Sequence, residues 1–276
     1  ASLINTINEN TTGEINATSI KTLTGSYSEL NTALTTSGIT GLDSESIIVT
    51  SETASVSELN ALGALTTGIL TANLLEGDMN TLAGIKESGN ALTVKVTDTS
   101  VAADELNKLD EKTTVAIMLN SVTLTGTNKE KLKAYSANQA GTIVGLETSF
   151  DAESYLASNA DLLKAFSSNT AKAKTHFFDY GLNESRNLDS FDEKTYLASH
   201  IDLLAAFGSD PTKATAHYVL NGYGENRSLD SFDELGYIAS YSDLITNFGS
   251  EGIAGTNHYI NYGYLENRTI TFDALS

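Results

Sequence analysis

Three histidines and three arginines stand at matching positions in the C-terminal half of the chain. Each set recurs every 41 residues. Histidine nitrogens are common metal ligands, and the arginine guanidinium binds carboxylates or acidic sugars, so the spacing decides which chemistry is open to these side chains. The two sets are His176, His217 and His258, and Arg186, Arg227 and Arg268.

The spacing of the histidines argues against a shared metal ion. Stacked helices lie roughly 8–10 Å apart, whereas zinc needs nitrogen ligands at about 2.0–2.1 Å from one centre. Equivalent residues of successive units cannot meet that requirement. We therefore predict that the three histidines are structural residues, which pack and form hydrogen bonds inside their own units.

The arginines are the only ones in the chain, where every other basic side chain except histidine is lysine. Selective use of arginine indicates that a planar, bidentate donor is needed at these positions. One hypothesis is a structural clamp on a carboxylate, either a glutamate two residues earlier or a helix-capping aspartate. The other is contact with an acidic sugar. The glutamates are Glu184, Glu225 and Glu266.

Acidic turns join the units and offer oxygen atoms to a cation. Carboxylate oxygens are calcium ligands, but the same aspartates can instead cap helices. No twelve-residue calcium loop is present, so calcium stays a candidate and no cofactor is required. The residues concerned are Asp189, Asp192, Asp230 and Asp233.

The elements that position these residues repeat with the same period. Each unit opens with Phe-Asp, and we divide the region into units 150–190, 191–231 and 232–271. A fixed period of this length is typical of arrays in which each unit covers the next. The pattern predicts three helices per unit: the aspartate of Phe-Asp caps the first, Ser158 and its equivalents cap the second, and a left-handed glycine such as Gly181 ends the third.

Composition divides the chain in two. Residues 1–149 contain no Phe, whereas residues 150–276 contain all nine. Cores built from such different residues pack separately, so we predict a strand and helix domain at 1–149 and a helical repeat domain at 150–276. The expected class is α+β.

Residues 1–149 carry a weaker repeat of about 50 residues. Helix-like starts near Leu3, Ser57 and Asp104 alternate with β-branched stretches that close at glycine. We expect short helices after capping serines, at Ser55 and Ser100 among others, and short parallel strands stacked in a solenoid-like array.

Charge and composition exclude several partners. The net charge of −19 opposes binding to a nucleic acid backbone. No apolar run approaches the length of a membrane span, and disulfides are impossible without cysteine. The N-terminus has no basic region followed by an apolar core, so we expect a mature end or a chain without a cleaved signal peptide.

Both halves resemble repeats of large secreted bacterial proteins. The segments 3–42, 56–72 and 94–126 resemble repeats of giant extracellular proteins. The phrase His-Tyr-x-x-x-Gly-x-x-Glu-x-Arg, within 150–271, resembles repeats of RTX-type adhesins and surface-layer proteins. The resemblance implies an exported protein at the bacterial cell surface.

No catalytic constellation is visible, so we expect a structural protein that is not an enzyme. Repeats with uncovered ends can pair with further copies, which favours self-assembly into a surface layer (S-layer) or filament, or a segment of a giant adhesin. The alternative is a glycan-binding module that anchors a secreted protein to cell-surface polysaccharide. In that case the repeated arginines and nearby tyrosines would contact the sugar.

Overall fold

The chain forms two compact units, Ala1–Phe150 and Asp151–Ser276. They are seen in a computed structural model that describes residues 1–50, 53–146 and 149–270. Among these residues, unit 1 contains helices and strands, and unit 2 contains helices alone. The prediction of a chain that mixes helices with short parallel strands is confirmed.

Unit 1 alternates short helices with shorter strands. Its helices are α1 (Ser2–Glu9), α2 (Tyr27–Thr35), α3 (Val56–Gly63), α4 (Met79–Leu82), α5 (Ala103–Asp110) and α6 (Asn128–Ala140). Its strands are β1 (Ile15–Asn16), β2 (Thr22–Gly25), β3 (Ile39–Thr40), β4 (Ser46–Val49), β5 (Leu70–Asn73), β6 (Ala91–Thr93), β7 (Ser100–Ala102), β8 (Ile117–Met118), β9 (Thr123–Thr125) and β10 (Ile143–Val144).

Every strand pair in the described part of unit 1 is parallel. Strand β2 pairs with β4, β4 with β5 and β5 with β6, so that Leu23 lies opposite Ile47 and Ile47 opposite Leu70. Partner residues stand 20 to 26 positions apart in sequence. One helix with its strands therefore forms one layer, and the next layer begins about half of the predicted 50-residue period later.

The predicted period is too long because the layer between α3 and α5 resembles its neighbours only weakly. Burying a layer requires apolar side chains at only a few positions of its helix, and the remaining positions vary. Leu30, Leu59 and Leu106 lie at the same place in α2, α3 and α5, and each is at most 2% exposed. The α4 helix, between α3 and α5, has only four residues, so the repeat is hard to recognise at that layer.

Asparagine side chains link the helices of successive layers. Asn5 Nδ2 donates to the Glu29 carbonyl at 2.9 Å, and Asn60 Nδ2 donates to the Gly84 carbonyl at 2.8 Å. Asn107 Nδ2 bonds the backbone of α6 in the same way. These bonds fix the spacing of the helices, because each satisfies a backbone acceptor of the neighbouring layer.

Helix starts in unit 1 follow the capping prediction at some places but not at others. Ser55 caps α3 through a reciprocal pair of bonds with Glu58. The cap predicted at Ser100 is wrong. Helix α5 begins at Ala103, its N-cap residue is Ala102, and no side chain caps it. The reason is that Ser100 belongs to β7, which runs directly into the helix.

Up to residue 270, where the described part of unit 2 ends, the chain forms three segments with the same element order, namely three α-helices and a π-helical turn. The α-helices are α7 (Ala152–Ala157), α8 (Ala160–Phe166) and α9 (Thr170–His176), then α10 (Glu193–Ala198), α11 (Ile201–Phe207) and α12 (Pro211–His217), then α13 (Glu234–Ala239), α14 (Ser242–Phe248) and α15 (Gly252–His258). The π-helices are π1 (Phe177–Gly181), π2 (Tyr218–Gly222) and π3 (Tyr259–Gly263).

The first helix of each segment is capped by the aspartate of Phe-Asp. Asp151 Oδ1 accepts the backbone N–H groups of Glu153 and Ser154 at 2.9 and 3.0 Å. The second helix is not capped by serine as predicted, since its N-cap is the next residue and makes no side-chain cap bond. In the first segment Ser158 Oγ instead accepts the N–H of Ser190, at the end of the same segment.

Successive segments of unit 2 pack through a constant pair of elements. Helix α7 contacts α12 and π2, and helix α10 contacts α15 and π3. Lys194 Nζ also donates to Asn257 Oδ1 across the second of these contacts, at 2.8 Å. The first helix of one segment therefore covers the third helix of the next.

Candidate functional site

Each arginine of unit 2 holds two carboxylates at once. Arg227 Nε lies 2.6 Å from Glu225 Oε2, and its Nη2 lies 2.8 Å from Asp202 Oδ2. The first segment repeats this arrangement at Arg186, and the third at Arg268. Glu225 is the glutamate proposed from the sequence, whereas Asp202 lies on the second helix and is not the capping aspartate.

The clamp joins the tail of a segment to its second helix. The arginine guanidinium lowers the pKa of the Asp161, Asp202 and Asp243 carboxyls, chiefly through its hydrogen bonds to them. Hydrogen bonds to Asp202 and Glu225 in turn raise the pKa of the Arg227 guanidinium. Because two anions already occupy its donors, the guanidinium has little capacity left for an acidic sugar, and a structural clamp accounts for the geometry.

The repeated histidines bond to buried tyrosines within their own segments. His217 Nδ1 lies 3.0 Å from the hydroxyl of Tyr196, and the other two segments repeat the pair at 3.1 and 2.9 Å. Burial lowers the pKa of His217, which favours its neutral form. The three tyrosines are fully buried, and burial raises the pKa of each to about 12. They are Tyr155, Tyr196 and Tyr237.

The repeated glycine faces the tyrosine hydroxyl and does not end the helix in a left-handed turn. A Cβ atom at Gly222 would collide with the Tyr196 hydroxyl, and the same holds for Gly181 and Gly263 with their tyrosines. Left-handed backbone is found four residues later, for example at Asn226 with a φ of 54°. The predicted glycine C-cap is therefore wrong, because close approach to the buried hydroxyl is what excludes a side chain.

The aspartates proposed as calcium ligands fall into two kinds. Asp192 and Asp233 accept backbone N–H groups at the start of α10 and α13, whereas Asp189 and Asp230 are exposed on the connecting turns. Asp192 and Asp230 line one groove of about 550 Å³ together with two glutamates. Within the ranges described, no three His, Cys, Asp or Glu side chains are grouped so that they could hold a metal ion.

Two aromatic clusters join a histidine selected from the sequence to a phenylalanine and an exposed tyrosine that were not selected. In the first segment the ring of His176 lies 5.6 Å from Phe166 and 5.7 Å from Tyr180. In the third, His258 lies 5.8 Å from Phe248 and 5.7 Å from Tyr262. Tyr180 and Tyr262 stand 82 residues apart. The signal that was missed is a tyrosine at this position in the first and third segments and Asn221 in the middle segment.

No protein-family model, no curated protein and no solved structure matches the chain. Over the residues that the structure covers, no helix combines the length and the apolar character that a membrane span requires. The geometry of the segments is therefore the basis for any function proposed for this protein.

Proposed function

We propose that this protein is a self-assembling structural module of the bacterial cell surface, part of a surface layer, filament or giant adhesin. Both units are solenoid-like, with layers that cover one another in sequence. Assembly would consist of the same layer-on-layer contact made between molecules. The acidic, cysteine-free composition and the resemblance to secreted repeat proteins support an extracellular location.

The observation that carries the proposal is that α1 and α14 expose apolar positions which equivalent helices bury. Ile7 of α1 is 47% exposed, whereas Leu62 and Leu109, at the same position of α3 and α5, are at most 4% exposed. In unit 2, Ile245 of α14 is 50% exposed, whereas Leu204 of α11 is 2% exposed. An apolar side chain at such a position gains free energy when another layer covers it.

The test is the concentration dependence of assembly for the 276-residue chain. Sedimentation velocity and electron microscopy should show large assemblies of the wild type, and these should be lost in Ile7→Asn and Ile245→Asn. Ile201→Asn is the matched control, because Ile201 is 59% exposed but its equivalents in the other segments are Ala160 and Ser242. A wild-type protein that stays monomeric at high concentration, with and without calcium, would contradict the proposal.

Calcium is included in the test because the groove lined by Asp192 and Asp230 concentrates negative charge between two segments. A divalent cation would reduce the repulsion between acidic layers of neighbouring molecules. We propose calcium as a promoter of assembly and not as a required cofactor. Adding a chelator would then raise the concentration needed for assembly without unfolding the protein.

A further inference from the structure

We propose that the two exposed aromatic clusters of unit 2 are equivalent binding sites for a neutral polysaccharide. We name them shelf 1 (Phe166, His176 and Tyr180) and shelf 3 (Phe248, His258 and Tyr262). The proposal does not rest on self-assembly, because each shelf lies within one segment.

Each shelf places a tyrosine ring on the surface beside a fixed histidine. Tyr180 is 60% exposed and Tyr262 is 62% exposed. The imidazole of His176 is held by the hydroxyl of Tyr155 at Nδ1, 3.1 Å away. Its orientation is thereby set, and Nε2 is the nitrogen that can bond a ligand.

The lining of the shelf matches the two kinds of surface that a pyranose ring presents. A cavity of about 420 Å³ lies over shelf 1, bounded by its aromatic rings and by Asn169, Ala171, Lys172 and Thr175. Aromatic rings pack against the C–H faces of a sugar, while amide, hydroxyl and imidazole groups bond its hydroxyls. Apolar area with a few polar groups at the rim is typical of such a site.

The negative charge of the protein favours a neutral sugar over an anionic one as the ligand. The chain carries a net charge of −19. In the third segment Glu251 stands at the repeat position of Asn169, and its carboxylate would repel a phosphate, sulfate or uronate group that approached it. A ligand that both shelves bind must therefore be neutral at the atoms that contact them.

Two sites with the same three aromatic residue types in one array fit a ligand that is itself a repeat. A polymer of identical sugars can contact both shelves, and the second contact then occurs at a high effective concentration. The middle segment retains Phe207 and His217, whose rings lie 5.8 Å apart, but has Asn221 where the shelves have tyrosine. The chain thus contains an incomplete copy of the site that can serve as an internal control.

Affinity electrophoresis in gels that contain hydroxyethylcellulose, a soluble β-1,3-glucan, mannan or dextran sulfate tests the proposal. We expect at least one neutral polymer to retard the wild type and dextran sulfate not to. Tyr180→Ala and Tyr262→Ala should each weaken binding by about 10-fold or more, because each leaves a single site. The double variant should migrate as it does in a polymer-free gel.

The sharpest variant is Asn221→Tyr, which completes the shelf of the middle segment and should increase retardation above the wild type. Leu220→Ala, a change at a neighbouring side chain that is 62% exposed, is the matched control and should leave retardation unchanged. Circular dichroism checks that every variant is folded. No retardation by any neutral polymer, retardation by dextran sulfate alone, or retardation that survives loss of both tyrosines would each overturn the proposal.

Discussion

At the scale of single residues, the arginine clamp accounts for the use of arginine at three positions only. Lysine can make one point contact, whereas the guanidinium of Arg227 bonds Glu225 through Nε and Asp202 through both terminal nitrogens. Its side chain is 24% exposed, but Asp202 and Glu225 are 59% and 49% exposed, so solvent screens much of the attraction. The contribution to stability is therefore modest.

We predict that Arg227→Lys lowers the free energy of unfolding by about 0.5–1 kcal/mol, the range of partly exposed ion pairs. The variant keeps the charge and loses the fork geometry. Urea denaturation followed by circular dichroism measures the change. Lys213→Gln, which removes a single exposed ion pair with Asp210, should change the midpoint less. An unchanged urea midpoint for Arg227→Lys would show that the fork geometry of the guanidinium does not contribute to stability at this position.

The same clamp predicts a specific pH dependence. Since Arg227 lowers the folded-state pKa of Asp202, the ionised carboxylate stabilises the fold above the unfolded pKa of about 3.9. This contribution is lost as the pH falls through the lower, folded-state pKa. The stability difference between the wild type and Asp202→Asn should be constant above pH ~5 and vanish in strong acid. A difference that persists at the lowest pH would refute this assignment.

At the scale of elements, the turn after the second helix of each segment adopts a conformation that favours glycine. Gly208 and Gly249 have φ of 63° and 57°, and in the first segment Ser167 has φ of 53° and ψ of −141°. A side chain in this region collides with its own backbone. The backbone of Ser167 is therefore strained, whereas glycine avoids this strain at the equivalent positions of the other two segments.

We predict that Ser167→Gly stabilises the protein by about 1 kcal/mol, because relief of this strain exceeds the entropy that glycine adds to the unfolded chain. The adjacent Ser168→Gly is the control. Its φ is not positive, so only the entropic cost remains and the variant should be neutral or less stable. Thermal unfolding of both variants tests the prediction, and equal effects of the two changes would contradict it.

At the scale of the whole molecule, the cost of a substitution should depend on the place of its layer in the stack. Leu204 and Ile245 occupy equivalent positions, but the first is 2% exposed and the second 50% exposed. Leu204→Ala should cost about 2–5 kcal/mol, the range for buried leucine. Ile245→Ala should cost under about 0.5 kcal/mol in dilute solution, as surface substitutions do.

Chemical denaturation at two protein concentrations measures this contrast. If Ile245 becomes covered in assemblies, the penalty for Ile245→Ala should rise with concentration, whereas that for Leu204→Ala should stay constant. Equal penalties for the two variants in dilute solution would mean that the layers do not differ in burial as the structure describes.

Much of the local structure was predictable because it depends on neighbours in sequence. The capping bonds of Asp151 and Ser55 use N–H groups within three residues, so residue type and spacing suffice. The layer spacing of unit 1 was not predictable, since it depends on which side chains are buried between strands at least 20 residues apart. The shelves were missed because the tyrosines of unit 2 include both fully buried and exposed ones, such as Tyr196 and Tyr180.

The sequence by itself determined the 41-residue period, the acidic charge, the division of aromatic residues between two regions and the need for arginine at three positions. Only the tertiary structure decided that Asp202 is the second partner of Arg227. It also decided that the Tyr196 hydroxyl lies where a side chain at position 222 would be. The exposure of Ile7 and Ile245 likewise follows from the folded structure alone. The physical reason is the distance in sequence between the interacting residues. Helix capping and periodicity involve residues that are close in sequence, whereas burial and ion pairing depend on segments that meet only after folding.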